Sequence, residues 1–364
     1  MKTALYNGTL YTGKEIVTNQ AILVDDGFVT DIVDASSIPD SYEKDDLQGM
    51  HIAPSFIDVQ IYGGNGRLFS HELSIASLLS TYEYCLSGGA AHFMITMATN
   101  SLEKFLKGIE TVKQYWNEGG KGLLGLHLEG PYLNPIKKGA HIECCIKKPT
   151  IEEVRMLLDK GKNVVKMMTL APEICDESII RYLLENNILV SAGHSNASYK
   201  QATNAFKNGI PAATHLFNAM SAFQSREPGM VGAIYESEAI SSVVCDGVHV
   251  DFAAIRISKK IMGERLFFIT DAVAETTSGE YQHIFKGDRY TLPDGTLSGS
   301  ALTMIKCVKN AVEHVGIDRQ EALRMASLYP ARLLGDSTRG MIAKGCQASF
   351  VVFDEELNVT RMIV

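Results

Sequence analysis

This sequence of 364 residues lacks several features that mark other classes of protein. It has no lysine- and arginine-rich run that could follow a phosphate backbone or an anionic membrane, and its formal net charge is −8. It has no uninterrupted apolar stretch of membrane-spanning length, and residues 1–10 have neither the charged start nor the apolar core of a signal peptide. We therefore expect no nucleic-acid partner, no membrane contact and a cytoplasmic location.

Cysteine patterns that bind metal or form disulfides are also missing. The seven cysteines are odd in number, no C-x-x-C occurs, and Cys144 and Cys145 are adjacent. This usage argues against a disulfide framework and against a thiolate zinc site. We expect reduced and mostly buried cysteine side chains, as in other intracellular proteins.

The middle of the chain contains apolar runs of strand length that alternate with helical patterns. The runs comprise residues 55–59, 92–97, 123–128, 164–170, 188–192, 211–214, 241–245 and 266–270. Helix candidates comprise residues 74–87, 101–116 and 176–187, and Thr150 with Glu153 forms a capping-box signature for another. Eight buried strands that alternate with helices predict an α/β fold, a TIM-like (β/α)8 barrel over residues 54–339. A doubly wound open sheet is the alternative, but no Walker or Rossmann glycine-rich loop follows any run.

Both ends of the chain read as short strands joined by turns. Near the start, the runs 4–6, 20–24 and 28–33 are separated by Asn-Gly and Asp-Asp-Gly turns, and near the end the runs 340–342 and 349–353 flank Lys-Gly. With 46% hydrophobic residues, the chain has enough apolar side chains for a large core. We predict a small β-sandwich domain formed by residues 1–53 and 340–364.

Ionisable residues follow five of the eight apolar runs. In a barrel, the carboxyl ends of the strands form the active-site mouth, so the residues that end the runs face one another. A single histidine in such a place is more often structural, but these five would be costly to desolvate together without a bound cation. The residues are Glu129, His194, His215, His249 and Asp271.

Two histidines and one carboxylate suit a catalytic site for one divalent metal, with a position left open for water. We assign Glu129, His194 and His215 as the ligands and zinc as the ion, with iron, cobalt or manganese as alternatives. The bound ion would lower the pKa of a water molecule towards neutrality. A separate carboxylate must then accept the proton, and Asp271 is the candidate. Its alternative role is to cap the helix that follows the strand.

Four segments closely resemble motifs of the N-acetylglucosamine-6-phosphate deacetylases, which belong to the amidohydrolase superfamily. They are LHLEGPY at 126–132, SAGHS at 191–195, THLFNAM at 214–220 and ITDA at 269–272. The resemblance covers essentially the whole chain, including the split β domain. PSFID at 54–58 resembles the family's first-strand motif, although Ser55 stands where the family commonly has glycine. Many superfamily members continue this first motif with His-x-His and bind a second metal. Gln60 and Tyr62 occupy those positions here, so we expect one metal ion per chain.

The resemblance also implies roles for residues around the metal. His141 would orient or polarise the acetyl carbonyl, and the alternative is an ordinary loop histidine. Arg226 would bind the phosphate as a guanidinium fork, and the alternative is a surface ion pair. The remaining residues that the resemblance places at the sugar phosphate are Ala140, Asn218, Ala219, His249, Leu297, Ser298 and Gly299.

The resemblance implies that the enzyme hydrolyses the acetamide of N-acetylglucosamine 6-phosphate to acetate and glucosamine 6-phosphate, and that it forms a homodimer. Alternative substrates are N-acetylgalactosamine 6-phosphate and a cyclic ureide such as dihydroorotate, of which Arg226 disfavours only the ureide. A catalytically inactive binding protein on the same barrel is a further alternative, because fold alone does not establish activity.

Overall fold

The computed structural model describes residues 2–364. Its N-terminal strands are β1 (Thr3–Tyr6), β2 (Thr9–Tyr11), β3 (Ile16–Val17), β4 (Gln20–Asp25), β5 (Phe28–Asp34), β6 (Glu43–Asp46) and β7 (His51–Pro54). β4 and β5 form the predicted antiparallel hairpin. Asn7 and Asp26 adopt positive φ angles, which Asn-Gly and Asp-Gly turns favour.

The central strands follow the predicted pattern of apolar runs. They are β8 (Phe56–Ile61), the short hairpin β9 (Gly63–Gly64) and β10 (Arg67–Leu68), then β11 (Ala90–Ala98), β12 (Leu123–Glu129), β13 (Val165–Leu170), β14 (Leu189–Ala192), β15 (Ala212–Ala213), β16 (Ile240–Val244) and β17 (Leu266–Ile269). In the described part of the chain, eight of them form one sheet in the order β17-β16-β15-β14-β13-β12-β11-β8. All eight predicted runs are confirmed as strands.

The first and last strands of this sheet meet, so the sheet closes into a barrel. A parallel bridge joins Ile61 to Ala272. The backbone N–H of Asp271 donates to the carbonyl of Gln60 at 3.0 Å, and that of Tyr62 donates to the carbonyl of Ala272 at 2.9 Å. The predicted (β/α)8 barrel is therefore confirmed, and the open doubly wound sheet is not the architecture.

Helices alternate with the barrel strands and continue after them. They are α1 (Phe69–Glu72), α2 (Ile75–Ser87), α3 (Leu102–Asn117), α4 (Ile151–Lys160), α5 (Glu177–Glu185), α6 (Tyr199–Lys207), α7 (Gly229–Glu236), α8 (Phe252–Met262), α9 (Met304–Asn310), α10 (Arg319–Ala326) and α11 (Leu328–Leu333). Among residues 2–364, no helix has both the length and the apolar character needed to cross a membrane.

Only half of the predicted capping box forms at the start of α4. The Thr150 hydroxyl accepts the backbone N–H of Glu153, but the Glu153 carboxylate accepts the hydroxyl of Tyr132 and the ammonium of Lys147 instead of reaching back to Thr150. A complete capping box, with both bonds, forms between Ser198 and Gln201 at the start of α6.

A small additional sheet follows the barrel strands. It consists of β18 (Ile284–Phe285), β19 (Arg289–Thr291) and β20 (Leu297–Ser300), in that order. The segment 297–299, which the resemblance places at the sugar phosphate, is therefore part of a strand. A bridge between Ala272 and Ser300 connects β20 to the point where the barrel closes.

The two chain ends share a sheet, as predicted. The last strands are β21 (Phe350–Phe353) and β22 (Val359–Ile363), and β21 pairs with β7 in a five-stranded sheet of order β22-β21-β7-β2-β3. A four-stranded sheet of order β5-β4-β1-β6 lies beside it, since Leu5 and Ile22 share a buried core with Ile52 and Phe350. The run 340–342 does not form the expected strand, although Ile342 is buried in the same core.

The chain divides into two compact units. One contains residues up to 58, 85–92 and 303–364, and the other contains residues 59–84 and 93–302. The domain boundaries that we placed after residues 53 and 339 stay a prediction. All residues that the sequence predicts for the site belong to the second unit.

Candidate active site

A cavity opens where the barrel strands end, and every site residue predicted from the sequence lines it except Arg226. Its lining residues are Tyr62, Leu68, Ser70, Ala98, Glu129, Gly139, Ala140, His141, His194, His215, Asn218, Ala219, His249, Asp271, Val273, Tyr281, His283, Leu297, Ser298 and Gly299. The apolar runs that form the barrel thus bring residues from distant parts of the chain to one place.

The buried carboxylate of Glu129, at the end of β12, is the centre of the site. Its Oε1 lies 3.1 Å from Nε2 of His215 and 3.4 Å from Nε2 of His194, and the two nitrogens lie 3.1 Å apart. In a tetrahedral site with metal–ligand bonds of about 2.0–2.1 Å, the ligand atoms lie about 3.4 Å from one another. The spacing of these three atoms therefore fits the ligands of one divalent metal ion.

The hydrogen bond on the far side of His194 gives that ring the tautomer a metal ligand needs. Its Nδ1 lies 2.8 Å from the carbonyl oxygen of Lys137, which can only accept. Nδ1 therefore carries the hydrogen, and the lone pair of Nε2 faces Glu129 and His215. A backbone carbonyl in this place is a usual outer partner of a metal-binding histidine.

His141 also lies near the carboxylate, but its ring has the opposite tautomer. Glu129, His141 and His194 place one possible ligand atom each within 4.8 Å of one another. However, the backbone N–H of Thr99 donates to Nδ1 of His141 at 3.1 Å, so Nε2 of the neutral ring carries the hydrogen. Burial, together with His194, lowers the pKa of His141 to about 4. His141 is therefore a hydrogen-bond donor at the site, with its Nε2 3.1 Å from Oε2 of Glu129.

Gln60 and Tyr62 connect the two carboxylates. The amide nitrogen of Gln60 lies 2.8 Å from Oδ1 of Asp271, 3.1 Å from Oε1 of Glu129 and 3.0 Å from the hydroxyl of Tyr62. The Tyr62 hydroxyl in turn donates to Oε2 of Glu129. These two side chains therefore hydrogen-bond the carboxylates from the positions where histidines would hold a second metal.

The two carboxyl groups differ in their readiness to ionise. Burial opposes ionisation of Glu129, but His194 and the contacts with the imidazole nitrogens of His141, His194 and His215 outweigh it and keep the pKa of Glu129 well below its usual range. Burial raises the pKa of Asp271, although His215 opposes the shift. Glu129 therefore presents a stable negative charge, whereas Asp271 is the better proton acceptor and donor.

The backbone at the site is strained. Five residues other than glycine have positive φ angles there: His194 at 47°, His215 at 40°, Phe217 at 78°, Ala219 at 49° and Asp271 at 54°. Each such conformation costs about 1–3 kcal/mol and is retained where the surrounding structure needs it, most often at functional sites. These backbone conformations place the two histidines and the aspartate at the mouth of the barrel.

Two further histidines of the cavity lining, His249 and His283, are held in hydrogen bonds. Nδ1 of His249 lies 2.6 Å from Oδ2 of Asp246, and Nδ1 of His283 lies 2.9 Å from the hydroxyl of Ser298. Burial opposes ionisation of Asp246, but its bond with His249 and the adjacent backbone N–H groups lower its pKa. These bonds fix the rings of both histidines at the cavity wall.

The sequence interpretation considered Tyr62 only as a replacement for a metal-binding histidine, and it did not consider Tyr281 or His283 at all. The cavity position of Tyr62 could have been found from the twofold period of a strand, because this residue follows Gln60 by two residues and so shares its face. Tyr281 and His283 lie between β17 and β18, where neither a motif nor a periodic pattern marks them. Arg226, in contrast, was predicted for the site but is exposed and does not line the cavity.

Comparison with known proteins agrees with this geometry. The sequence model of the amidohydrolase family matches residues 51–364. The chain belongs to the amidohydrolase family. The sequence model of the NagA composite domain matches residues 3–52 of this amidohydrolase. Amidohydrolases are metal-dependent, which agrees with the donor set around Glu129.

Two relatives and two solved structures of other proteins are similar to this amidohydrolase over most or all of its length. It is 35% identical to N-acetylglucosamine-6-phosphate deacetylase of Haemophilus influenzae over 100% of this chain and 98% of that protein. It is 32% identical to N-acetylgalactosamine-6-phosphate deacetylase of Escherichia coli O157:H7, with 85% of each covered.

The crystal structure of N-acetylglucosamine-6-phosphate deacetylase from Pasteurella multocida is similar to this structure with a TM-score of 0.96 and 34% sequence identity. The match covers 100% of this chain and 98% of that chain. The structure of a mutant of the Mycobacterium smegmatis enzyme in complex with N-acetyl-D-glucosamine 6-phosphate is similar with a TM-score of 0.92 and 28% sequence identity. The match covers 100% of this chain and 97% of that chain.

Proposed function

We propose that this amidohydrolase hydrolyses the acetamide of N-acetylglucosamine 6-phosphate and releases acetate and glucosamine 6-phosphate. The observation that carries the proposal is that one cavity contains a set of metal ligands, a separate carboxylate and a histidine N–H donor. The two relatives, which match 100% and 85% of this chain, are deacetylases of phosphorylated amino sugars, which supports the same substrate class.

Glu129, His194 and His215 would hold one divalent ion in this proposal, with zinc favoured by two imidazoles and a carboxylate and iron, cobalt or manganese as alternatives. When bound, the ion would activate water and polarise the amide carbonyl. Gln60 and Tyr62 occupy the space of a second pair of histidines, so the enzyme would use a single ion.

The chain's own residues would supply the remaining chemistry. The Nε2–H of His141 would donate to the acetamide carbonyl oxygen, where negative charge develops during the reaction. Asp271 would accept a proton from the attacking water and return it to the sugar nitrogen as the amide bond breaks. The hydrogen bond that the side-chain amide of Gln60 donates to Oδ1 of Asp271 would hold this carboxylate in the orientation needed for both proton transfers.

The sugar phosphate would occupy the part of the cavity formed after β15, β16 and β17. The side-chain nitrogen of Asn218 is buried and has no hydrogen-bond partner among residues 2–364, so a ligand oxygen would satisfy it. His249 would contact the sugar or phosphate, and Ala140 and Ala219 would line the bound sugar. Leu297, Ser298 and Gly299 would form the opposite wall, where a Cβ at Gly299 would meet Val273 at 2.6 Å.

We propose that the enzyme is a homodimer in which Arg226 reads the phosphate bound by the partner subunit. Arg226 is exposed and does not line its own cavity. Phe223 nearby is 60% exposed, and its ring lies 6.2 Å from that of Tyr235, whose hydroxyl is 2.8 Å from that of Ser258. On α8, the exposed side chains of Ile257 and Ile261 are four residues apart and so lie on one side of the helix, which supports an interface there.

A substrate panel on protein of measured metal content tests the proposed function. We expect acetate release from N-acetylglucosamine 6-phosphate with a kcat/KM far above that for N-acetylglucosamine, and no hydrolysis of dihydroorotate. The E. coli relative makes N-acetylgalactosamine 6-phosphate the second candidate. A higher kcat/KM for that epimer would transfer the proposal to it, and no acetate release from any sugar would contradict it.

A further inference from the structure

Tyr62 lies at the junction between the apolar wall of the cavity and the Glu129 carboxylate. It follows β8 and is buried, and its ring packs in a cluster with Leu68, Ala98 and Val273. Its hydroxyl leaves this cluster and donates to Oε2 of Glu129. The side chain therefore contacts both the substrate cavity and a proposed metal ligand.

The direction of the Tyr62 hydroxyl bond is set by its neighbour. The Gln60 amide nitrogen lies 3.0 Å from the Tyr62 oxygen and can only donate to it. This contact occupies a lone pair of the hydroxyl, so the hydroxyl hydrogen is left for Glu129. If Oε1 of Glu129 binds a metal, the two amide hydrogens of Gln60 match its two other acceptors, Asp271 and Tyr62.

Oε2 of Glu129 accepts a second hydrogen bond, from Nε2 of His141 at 3.1 Å. His141 has only this N–H to give, because its Nδ1 accepts the backbone N–H of Thr99. The same N–H is the one that would donate to the substrate carbonyl. When it turns to the substrate, Oε2 loses a donor, and a buried carboxylate oxygen without a donor is costly.

We propose that Tyr62 is a positioning residue. It keeps Oε2 of Glu129 hydrogen-bonded while the N–H of His141 donates its hydrogen bond to the substrate instead of to Oε2. The inference rests on the proposed function for the role of His141. The hydroxyl serves two purposes: it fixes the orientation of Glu129 towards the metal, and it frees His141 for catalysis. Both purposes depend on a single oxygen atom of the Tyr62 side chain.

Tyr62→Phe removes that oxygen and keeps the ring. Tyr329→Phe is a matched control, because the Tyr329 hydroxyl also donates to a glutamate, Glu321, and neither residue lines the cavity. Outer hydrogen bonds to metal ligands typically contribute about 10–100-fold to metal affinity or activity. We therefore expect Tyr62→Phe to lower metal affinity in chelator competition about tenfold, and to lower kcat on N-acetylglucosamine 6-phosphate at saturating metal at least as much, with a smaller change in KM.

The coupling to His141 is tested by the same substitution in a second background. If Tyr62 acts by freeing the His141 N–H, Tyr62→Phe should change kcat less than about threefold in a His141→Ala enzyme at saturating metal. Equal factors in both backgrounds would overturn this coupling.

Chelator competition separates the inference from the proposed function. If wild-type enzyme does not deacetylate the sugar, the proposed function fails, but metal affinity still reports whether Tyr62 holds Glu129. Metal affinity equal to that of wild type and of Tyr329→Phe would overturn the inference whatever the activity.

Discussion

At the scale of single residues, hydrogen-bond direction decides which side chains can bind the metal and which act on the substrate. The sequence predicted Glu129, His194 and His215 from their places at strand ends, and the family resemblance implied a role for His141. It could not show that Lys137 and Thr99 give His194 and His141 opposite tautomers, because these contacts join side chains to backbone groups of separate loops. The roles of Gln60 and Tyr62 as hydrogen-bond donors were hidden for the same reason.

The tautomers lead to a prediction about metal content. His194→Ala and His215→Ala should purify with little metal, whereas His141→Ala should keep about one ion per chain and lose about 10²–10³-fold in kcat, because it lacks only an oxyanion donor. Elemental analysis beside steady-state kinetics checks this. A metal-free His141→Ala with a metal-loaded His215→Ala would mean that His141, and not His215, is the ligand. Two ions in active wild-type enzyme would contradict the single-metal proposal.

Arg226 gives a second prediction at this scale. Arg226→Ala should lower kcat/KM on N-acetylglucosamine 6-phosphate by about 100-fold or more, equivalent to about 3 kcal/mol, because a guanidinium–phosphate contact is lost. The same change should matter far less for N-acetylglucosamine, which serves as the internal control. Equal losses on the two sugars would show that Arg226 supports the fold and does not bind phosphate.

At the scale of elements, strands were easier to predict than the segments between them. The eight barrel strands are short, buried and apolar, so their sequences show them directly. The sheet of β18, β19 and β20 is partly exposed and short, and its pairing depends on contacts that no local pattern records. For this reason Tyr281 and His283, which line the cavity beside this sheet, could not be predicted.

Helix caps give a stability prediction. Ser198→Ala removes the hydroxyl that accepts the backbone N–H of Gln201 and donates to its side chain, and should lower the free energy of unfolding by about 1 kcal/mol. Thr150→Ala removes a single cap bond of α4 and should have a smaller effect. Denaturant midpoints of both variants and of wild type provide the measurement. A larger loss for Thr150→Ala would contradict the expectation that the Ser198 hydroxyl, with two hydrogen bonds, is the stronger cap.

At the scale of the whole molecule, the alternation of strands and helices predicted the barrel, and the turn-rich ends predicted a shared β-sandwich. Both could be predicted from the sequence because each follows from patterns that recur along the chain. The grouping of residues 303–339 with the two chain ends was not predicted, since α9, α10 and α11 were not singled out in the sequence. The cytoplasmic location stays a prediction.

The homodimer is testable at this scale. Ile257→Glu combined with Ile261→Glu places two charges on the exposed face of α8 and should convert a dimer to a monomer in light scattering after gel filtration. Leu79→Glu, on the exposed side of α2, is a matched control that should leave the dimer intact. A wild-type enzyme that is monomeric at micromolar concentration would contradict the proposal.

The central claim is that the cavity deacetylates N-acetylglucosamine 6-phosphate with Asp271 as the proton carrier. The most direct measurement compares acetate and glucosamine 6-phosphate released by wild type and Asp271→Asn at equal metal content. We predict equal amounts of the two products from wild type, and a rate about 10²–10⁴-fold lower for Asp271→Asn, because an amide cannot carry the proton. Absence of acetate release by metal-loaded wild type, or a wild-type rate in Asp271→Asn, would contradict the claim.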